Sequence, residues 1–214
     1  MEKSLKRIHE GLQAFHDEHY KGNNASKMKQ LAEFGQNPEY FFISCSDSRY
    51  DPQQLSTITP GDAFKSQHIA ALVPPHGTVE ATTIAGSIEF AVDVLRVKHI
   101  IIMGHTDCGG VKALVTGECD GNIKKWLSTA ESVLDTIDRS KDVPHQCTAT
   151  EHKSVIWSLQ NLRNYPCVKK AIEENRLMLH GWCFDLKNGQ VEAYDENLDK
   201  FMPFFSAEDS AKRA

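Results

Sequence analysis

No stretch of this chain approaches the run of about 20 apolar residues that a bilayer-spanning helix needs. The N-terminus, Met1 to Tyr20, is charged throughout and holds no apolar signal core. Positive charge is not in excess: Lys plus Arg number 24 against 29 Asp plus Glu, for a net charge of −5. These absences argue against a membrane or secreted protein and against a nucleic-acid binder. A reducing, cytoplasmic location is expected. In that setting six cysteines are free thiols or metal ligands rather than a disulfide framework. No C-x-x-C occurs, which removes the thiol redox motif. There is no internal repeat and no linker rich in Pro, Gly or Ser. The 214 residues therefore read as one α/β domain with helical additions.

What is present alternates strand-like and helix-like segments. Leu5, Ile8, Leu12 and Phe15 recur at helical spacing between charges. A second short helix is expected from Ala25 to Phe34, ending at Gly35. Residues 1–35 thus read as a helical arm whose apolar stripe packs on its own domain or on a second subunit. Tyr40 to Cys45 reads as a buried strand and Asp62 to Ile69 as a weaker one. Thr78 to Leu95 carries Ile84, Ile88, Ala91, Val92 and Leu95 on one helical stripe. His99 to Gly104 is a continuous apolar run, the pattern of a central parallel strand covered on both faces. Arg176 to Leu186 and Gln190 to Tyr194 read as strands around the hairpin signal Asn188-Gly189. The expected fold is α/β: an open, mostly parallel central sheet flanked by helices, with an antiparallel edge strand and the N-terminal helical arm. Residues 36–205 read as a single α/β domain, and residues 206–214 as a polar tail.

Two segments carry chemistry. Cys45-Ser46-Asp47-Ser48-Arg49 and His105-Thr106-Asp107-Cys108-Gly109-Gly110 each follow an apolar run. Together they offer two thiolates, an imidazole and a carboxylate. That donor set suits Zn²⁺, and its mixture suggests a working site rather than a structural one. The ligands are too far apart in sequence for a zinc finger, so tertiary structure has to assemble them. In an open α/β sheet the crevice lies beyond the carboxyl ends of the strands, near a switch point. Strands ending at Cys45 and His105 would both face it if they are neighbours. Arg49 can grip the Asp47 carboxylate in a bidentate fork. Gly109 and Gly110 would let the chain turn tightly into a helix. A lone Cys at a strand end is usually a small buried hydrophobe; the conjunction of both motifs favours the metal.

These residues resemble the β-class carbonic anhydrases. The likeness runs from about Phe41 to Asp185. It includes both segments, Pro60-Gly61-Asp62, Ser87 to Val92, and His180-Gly181-Trp182. The resemblance implies Zn²⁺ held by Cys45, His105 and Cys108. Water would take the fourth position, or Asp47 in a closed state only, with Arg49 holding Asp47 off the metal. It implies reversible hydration of CO2 to bicarbonate and a proton by zinc-bound hydroxide, with Asp47 and Arg49 as catalytic residues. It also implies a homodimer or a dimer of dimers, with the N-terminal helix laid over the partner subunit. No nucleic-acid or membrane partner is expected. Two alternatives stay open: a same-fold zinc hydrolase acting on COS or CS2, and a zinc-binding member with reduced or lost catalysis.

The second strand departs from the family pattern, with Gln67 and His68 in place of an Arg-Asn pair. One subgroup uses that Arg with a Trp and a Tyr to hold an inhibitory bicarbonate. The matching positions here are Phe42, Gln67 and Phe184, so that site is expected to be absent or changed. His68 and His76 are candidate proton shuttles, although a structural place is the commoner one for such residues. His145, Cys147 and His152 fall in a polar stretch read as a loop and not as a second metal site. Cys119, Cys167 and Cys183 read as buried or incidental thiols.

Overall fold

Four segments of the sheet run parallel to one another: Tyr40–Ser44 (β1), Ala63–Gln67 (β2), His99–His105 (β3) and Met178–Asp185 (β4). Two more, Gln190–Asp195 (β5) and Lys200–Pro203 (β6), continue it antiparallel, giving the order β2-β1-β3-β4-β5-β6. The structure, a computed structural model, describes residues 3–21 and 25–205. The expected polar tail at 206–214 lies outside the described residues, as do positions 1–2 and 22–24 of the arm. The open parallel sheet agrees with expectation, but its antiparallel edge has two strands rather than one. β6 is only four residues long and ends on a proline, so it carries too little alternation to stand out in the sequence.

β1 and β3 are apolar because both faces are covered. Phe41 and Ile43 of β1 and Ile100 and Ile102 of β3 lie in one buried cluster. They share it with Thr82–Glu89 (α3), Val143–Arg163 (α6) and Pro166–Glu173 (α7), through Ile84, Ile88, Val155, Leu159 and Val168. The alternate residues Phe42, Ile101 and Met103 join a second cluster. Its other walls are Gly109–Thr116 (α4) and Gly121–Ser128 (α5), through Val111, Val115 and Leu127. Gly104 and Gly181 let α6 approach the sheet: a Cβ would stand 2.8 Å from Val155 Cγ2 at Gly104 and 2.6 Å from Leu159 Cδ1 at Gly181. The helix expected across residues 78–95 is shorter, starting at Thr82 and finishing as a π turn over Phe90–Val94.

Chain order places the switch point. From β1 the chain goes to β2 on one side and returns to β3 on the other. The carboxyl ends of β1 and β3 thus diverge around a crevice, where such sheets take ligands. The arm consists of Lys3–His16 (α1), a π turn over Asp17–Lys21, and Ala25–Phe34 (α2). α2 is tied to the body by Lys27, whose Nζ lies 3.0 Å from Asp62 Oδ1, and by Leu31 over Gly61. α1 exposes its apolar stripe, Leu5, Ile8, Leu12 and Phe15. Among the described residues no helix is long and apolar enough to cross a membrane.

Candidate metal centre

The register sets Ser44 beside Met103, so Cys45 and His105 emerge together at the crevice. Tyr50 ties the two strand ends: its O–H donates to the Met103 carbonyl at 2.8 Å, and it accepts the Cys45 N–H at 3.0 Å. The ligand atoms of Cys45, His105 and Cys108 lie within 4.8 Å of one another, and all three residues are buried. His105 Nδ1 donates to the Thr106 carbonyl at 2.8 Å, which leaves Nε2 as the free lone pair. That nitrogen is buried without a hydrogen-bond partner. A buried orphan of this kind costs roughly 1–3 kcal/mol. Two sulfurs and an imidazole nitrogen at this spacing are a set able to hold a metal ion, and they fit the N/S preference of zinc.

The electrostatics favour the same use. The Cys45 thiol is pulled well below the ordinary range, first by the Cys108 S–H, then by His105 and by the Ala70 N–H at 3.3 Å. Cys108 is pushed up by that same partner and by burial. A cation binding such a pair displaces the remaining thiol proton. Burial disfavours the His105 cation, but the nearby Cys45 sulfur, the Thr106 carbonyl on Nδ1 and the Asp47 carboxylate outweigh it and raise its pKa.

Asp47 sits on Arg49. Its Oδ1 accepts from the Arg49 N–H and Nε at 2.9 Å each, and its Oδ2 from Nη2 at 2.7 Å. The guanidinium holds the Asp47 carboxyl far below the usual carboxylate range. Asp47 Oδ2 is also 3.8 Å from His105 Nε2, beside the ligand cluster. The Arg49 side chain is 51% exposed, so the pair adds little stability, about 0–1 kcal/mol. Its value lies in where it fixes the carboxylate.

Sequence reasoning missed Glu151. This α6 residue is 5% exposed, and its Oε1 accepts the Cys108 N–H at 3.0 Å. Burial pushes its pKa up to about 7. The Asp107 carbonyl, on the same peptide group, accepts from Arg49 Nη2 at 2.9 Å. One peptide is thus gripped at both ends, by Arg49 and by Glu151. The turn expected of Gly109 and Gly110 is made instead by Asp107, whose φ is 55°. Gly110 is needed for closeness: a Cβ there would lie 2.5 Å from Ile69 Cγ2. A cavity of about 580 Å³ opens beside Cys108, lined by Thr106, Lys112, Cys147 and Glu151.

The remaining candidates have structural places. His68 Nε2 donates to the Leu72 carbonyl at 2.8 Å, and burial lowers its pKa. His76 meets the Tyr165 ring edge-on. His145, Cys147 and His152 lie on helix α6 and not on the expected loop. Pro144 in the first turn and the Asp142 cap, which accepts the His145 N–H at 3.0 Å, start that helix. His152 is bonded to Glu192 at 3.0 Å, away from His145 at its cap. Cys167 and Cys183 are buried and Cys119 is partly so. Phe42 meets Trp182 edge-on, Phe184 stacks on Tyr50, and Gln67 ends β2 exposed. None of the three presents a cation.

The chain is similar to known proteins over most of its length. The carbonic anhydrase family model matches residues 40–191. Carbonic anhydrase 1 of Escherichia coli O157:H7 is 36% identical over 204 residues, covering 93% of this chain and 92% of its own. The β-carbonic anhydrase CcaA superposes with a TM-score of 0.88 at 28% identity, over 96% of this chain and 94% of its own. A tetrameric β-carbonic anhydrase from the filamentous ascomycete Sordaria macrospora gives a TM-score of 0.71 at 30% identity, over 89% and 93%.

Proposed function

The chain belongs to the β-class carbonic anhydrases, and from that premise we propose that it hydrates CO2 reversibly to bicarbonate and a proton at a zinc ion held by Cys45, His105 and Cys108. The observation that carries this reading is the convergence of those three donors around the unpartnered Nε2 of His105. Zinc, when bound, supplies the Lewis acidity that brings the ionisation of water toward the neutral range.

The chain's own residues do the rest. Cys45 and Cys108 neutralise the cation. His105 is held in one tautomer by the Thr106 carbonyl, so its Nε2 lone pair always faces the same way. Asp47 stays ionised at any working pH because Arg49 grips it. An ionised Asp47 accepts a hydrogen bond from the attacking water and orients its lone pair toward the CO2 carbon. Arg49 would keep that carboxylate off the metal. Its second bond, to the Asp107 carbonyl, links Asp47 to the loop that carries Cys108.

A second copy of the chain covers the arm in this reading. The exposed stripe Leu5, Ile8, Leu12 and Phe15 favours an interface, and the tetrameric Sordaria relative has the same fold. A homodimer, or a dimer of dimers, is the assembly proposed. Two thiols that have to stay unpaired fit the reducing cytoplasm.

The test is zinc content and stopped-flow CO2 hydration in Cys108→Ser and Asp47→Ala. Cys108→Ser is expected to lose both zinc and hydration. Asp47→Ala is expected to keep zinc and lose most hydration. Unchanged hydration in Cys108→Ser would overturn the assignment.

A further inference from the structure

A second peptide group beside the metal centre is gripped at both ends, and its holder has no part in the proposed chemistry. Ile69 C=O accepts from Trp126 Nε1–H at 2.9 Å. Ala70 N–H, on the same peptide, donates to Cys45 Sγ at 3.3 Å. The segment is in an uncomfortable conformation: Ala70 has φ 61° and Ala71 φ 53°. Side chains with a Cβ disfavour this left-handed region, so the surroundings have to impose it. Trp126 on α5 is one such constraint. His68 is another, bonded to the Leu72 carbonyl and edge-on to the Trp126 ring at 5.2 Å. Gly110 is a third, since only a residue without a Cβ leaves room for Ile69.

We propose that Trp126 is a positioning residue for the metal centre: by holding the Ile69–Ala70 peptide it aims the Ala70 N–H at Cys45 Sγ. An N–H bond to a thiolate draws charge from the sulfur and fixes its direction. Outer groups of this kind orient ligands and tune the metal they hold. The strain at Ala70 and Ala71 supplies the sensitivity. Once the Trp126 bond is gone, the segment relaxes and the amide turns from the sulfur. This inference rests on the reading of Cys45 as a metal ligand.

The experiment loads wild-type protein and Trp126→Phe with cobalt and records the sulfur-to-cobalt charge-transfer band. Zinc affinity is measured alongside by competition with a chelator. Trp126→Phe keeps an aromatic ring against His68 and removes the N–H donor. The band is expected to move to longer wavelength, and zinc to bind about 10-fold more weakly. A second protein carries benzothienylalanine at position 126, which keeps the shape of the indole and lacks its N–H. It is expected to shift the band the same way and guards against misfolding in Trp126→Phe. A normal wild-type band with both altered proteins unmoved overturns this inference alone. A wild-type protein without any such band overturns the metal reading and this inference with it.

Discussion

The metal centre and the N-terminal arm bury their side chains in opposite ways. At the strand ends, His105 is 2% exposed, and the chain itself fixes each donor through Tyr50, Thr106, Ala70 and Glu151. On α1, Leu12 is 65% exposed, and the whole apolar stripe faces outward. The three donors of the first region all come from one chain. The second is a helix whose apolar stripe is left exposed among the described residues. Burying each such side chain contributes roughly 1.5–3 kcal/mol, which in the proposed dimer a second copy would supply to α1. The difference predicts that damage to the two regions separates: loss of metal on one side, loss of assembly on the other.

The largest effect is expected from His105→Ala. Removing a ligand exceeds the roughly 10–100-fold cost of losing an outer partner, so zinc affinity falls by more than about 100-fold. Light scattering should still find the assembled protein. Deleting residues 1–21 should do the reverse. The shortened chain is expected to keep zinc in metal analysis and to run as smaller species in light scattering. A shortened chain that stays assembled would break the contrast.

Both regions were legible in the sequence, for different reasons. Cys45, Asp47 and Arg49 lie within five residues, and His105 and Cys108 within four, each group directly after a strand. Short-range spacing and the switch-point rule were enough to bring them together. Glu151 was not legible, because it reaches the site from helix α6, 43 residues beyond Cys108. Its neighbours on α6 gave no sign that one carboxylate points at a backbone amide. Ala70 and Ala71 were equally silent, since alanine carries no local signal for a left-handed backbone. Tyr50 was not singled out, because nothing in its place just past Arg49 shows that its hydroxyl joins two strand ends. On the arm, periodicity identified α1 but not what would cover it, because the surface of a second copy would leave no trace in this chain's spacing.

The sheet supports the centre from behind the strand ends. Gly181→Ala would press a Cβ into Leu159 and Val155 and is expected to cost about 1–3 kcal/mol in urea unfolding. Zinc affinity and assembly should change less than in the first two variants. The smallest effect concerns pH. Burial lowers the pKa of His68 and His180 below the usual 6.5. A histidine kept neutral in the folded chain contributes stability above pH 6.5, and that contribution is lost as pH falls through the window down to the folded pKa. Stability should therefore decline below pH 6.5. His68→Gln, which keeps a donor for the Leu72 carbonyl, should decline less over the same range.

The central claim is that three residues hold the metal while Asp47 waits on Arg49. Zinc-edge X-ray absorption on the purified protein tests it most directly. Two sulfur scatterers at about 2.3 Å with one imidazole nitrogen and one exchangeable oxygen are predicted. A third sulfur, or a shell of oxygen and nitrogen alone, would contradict it.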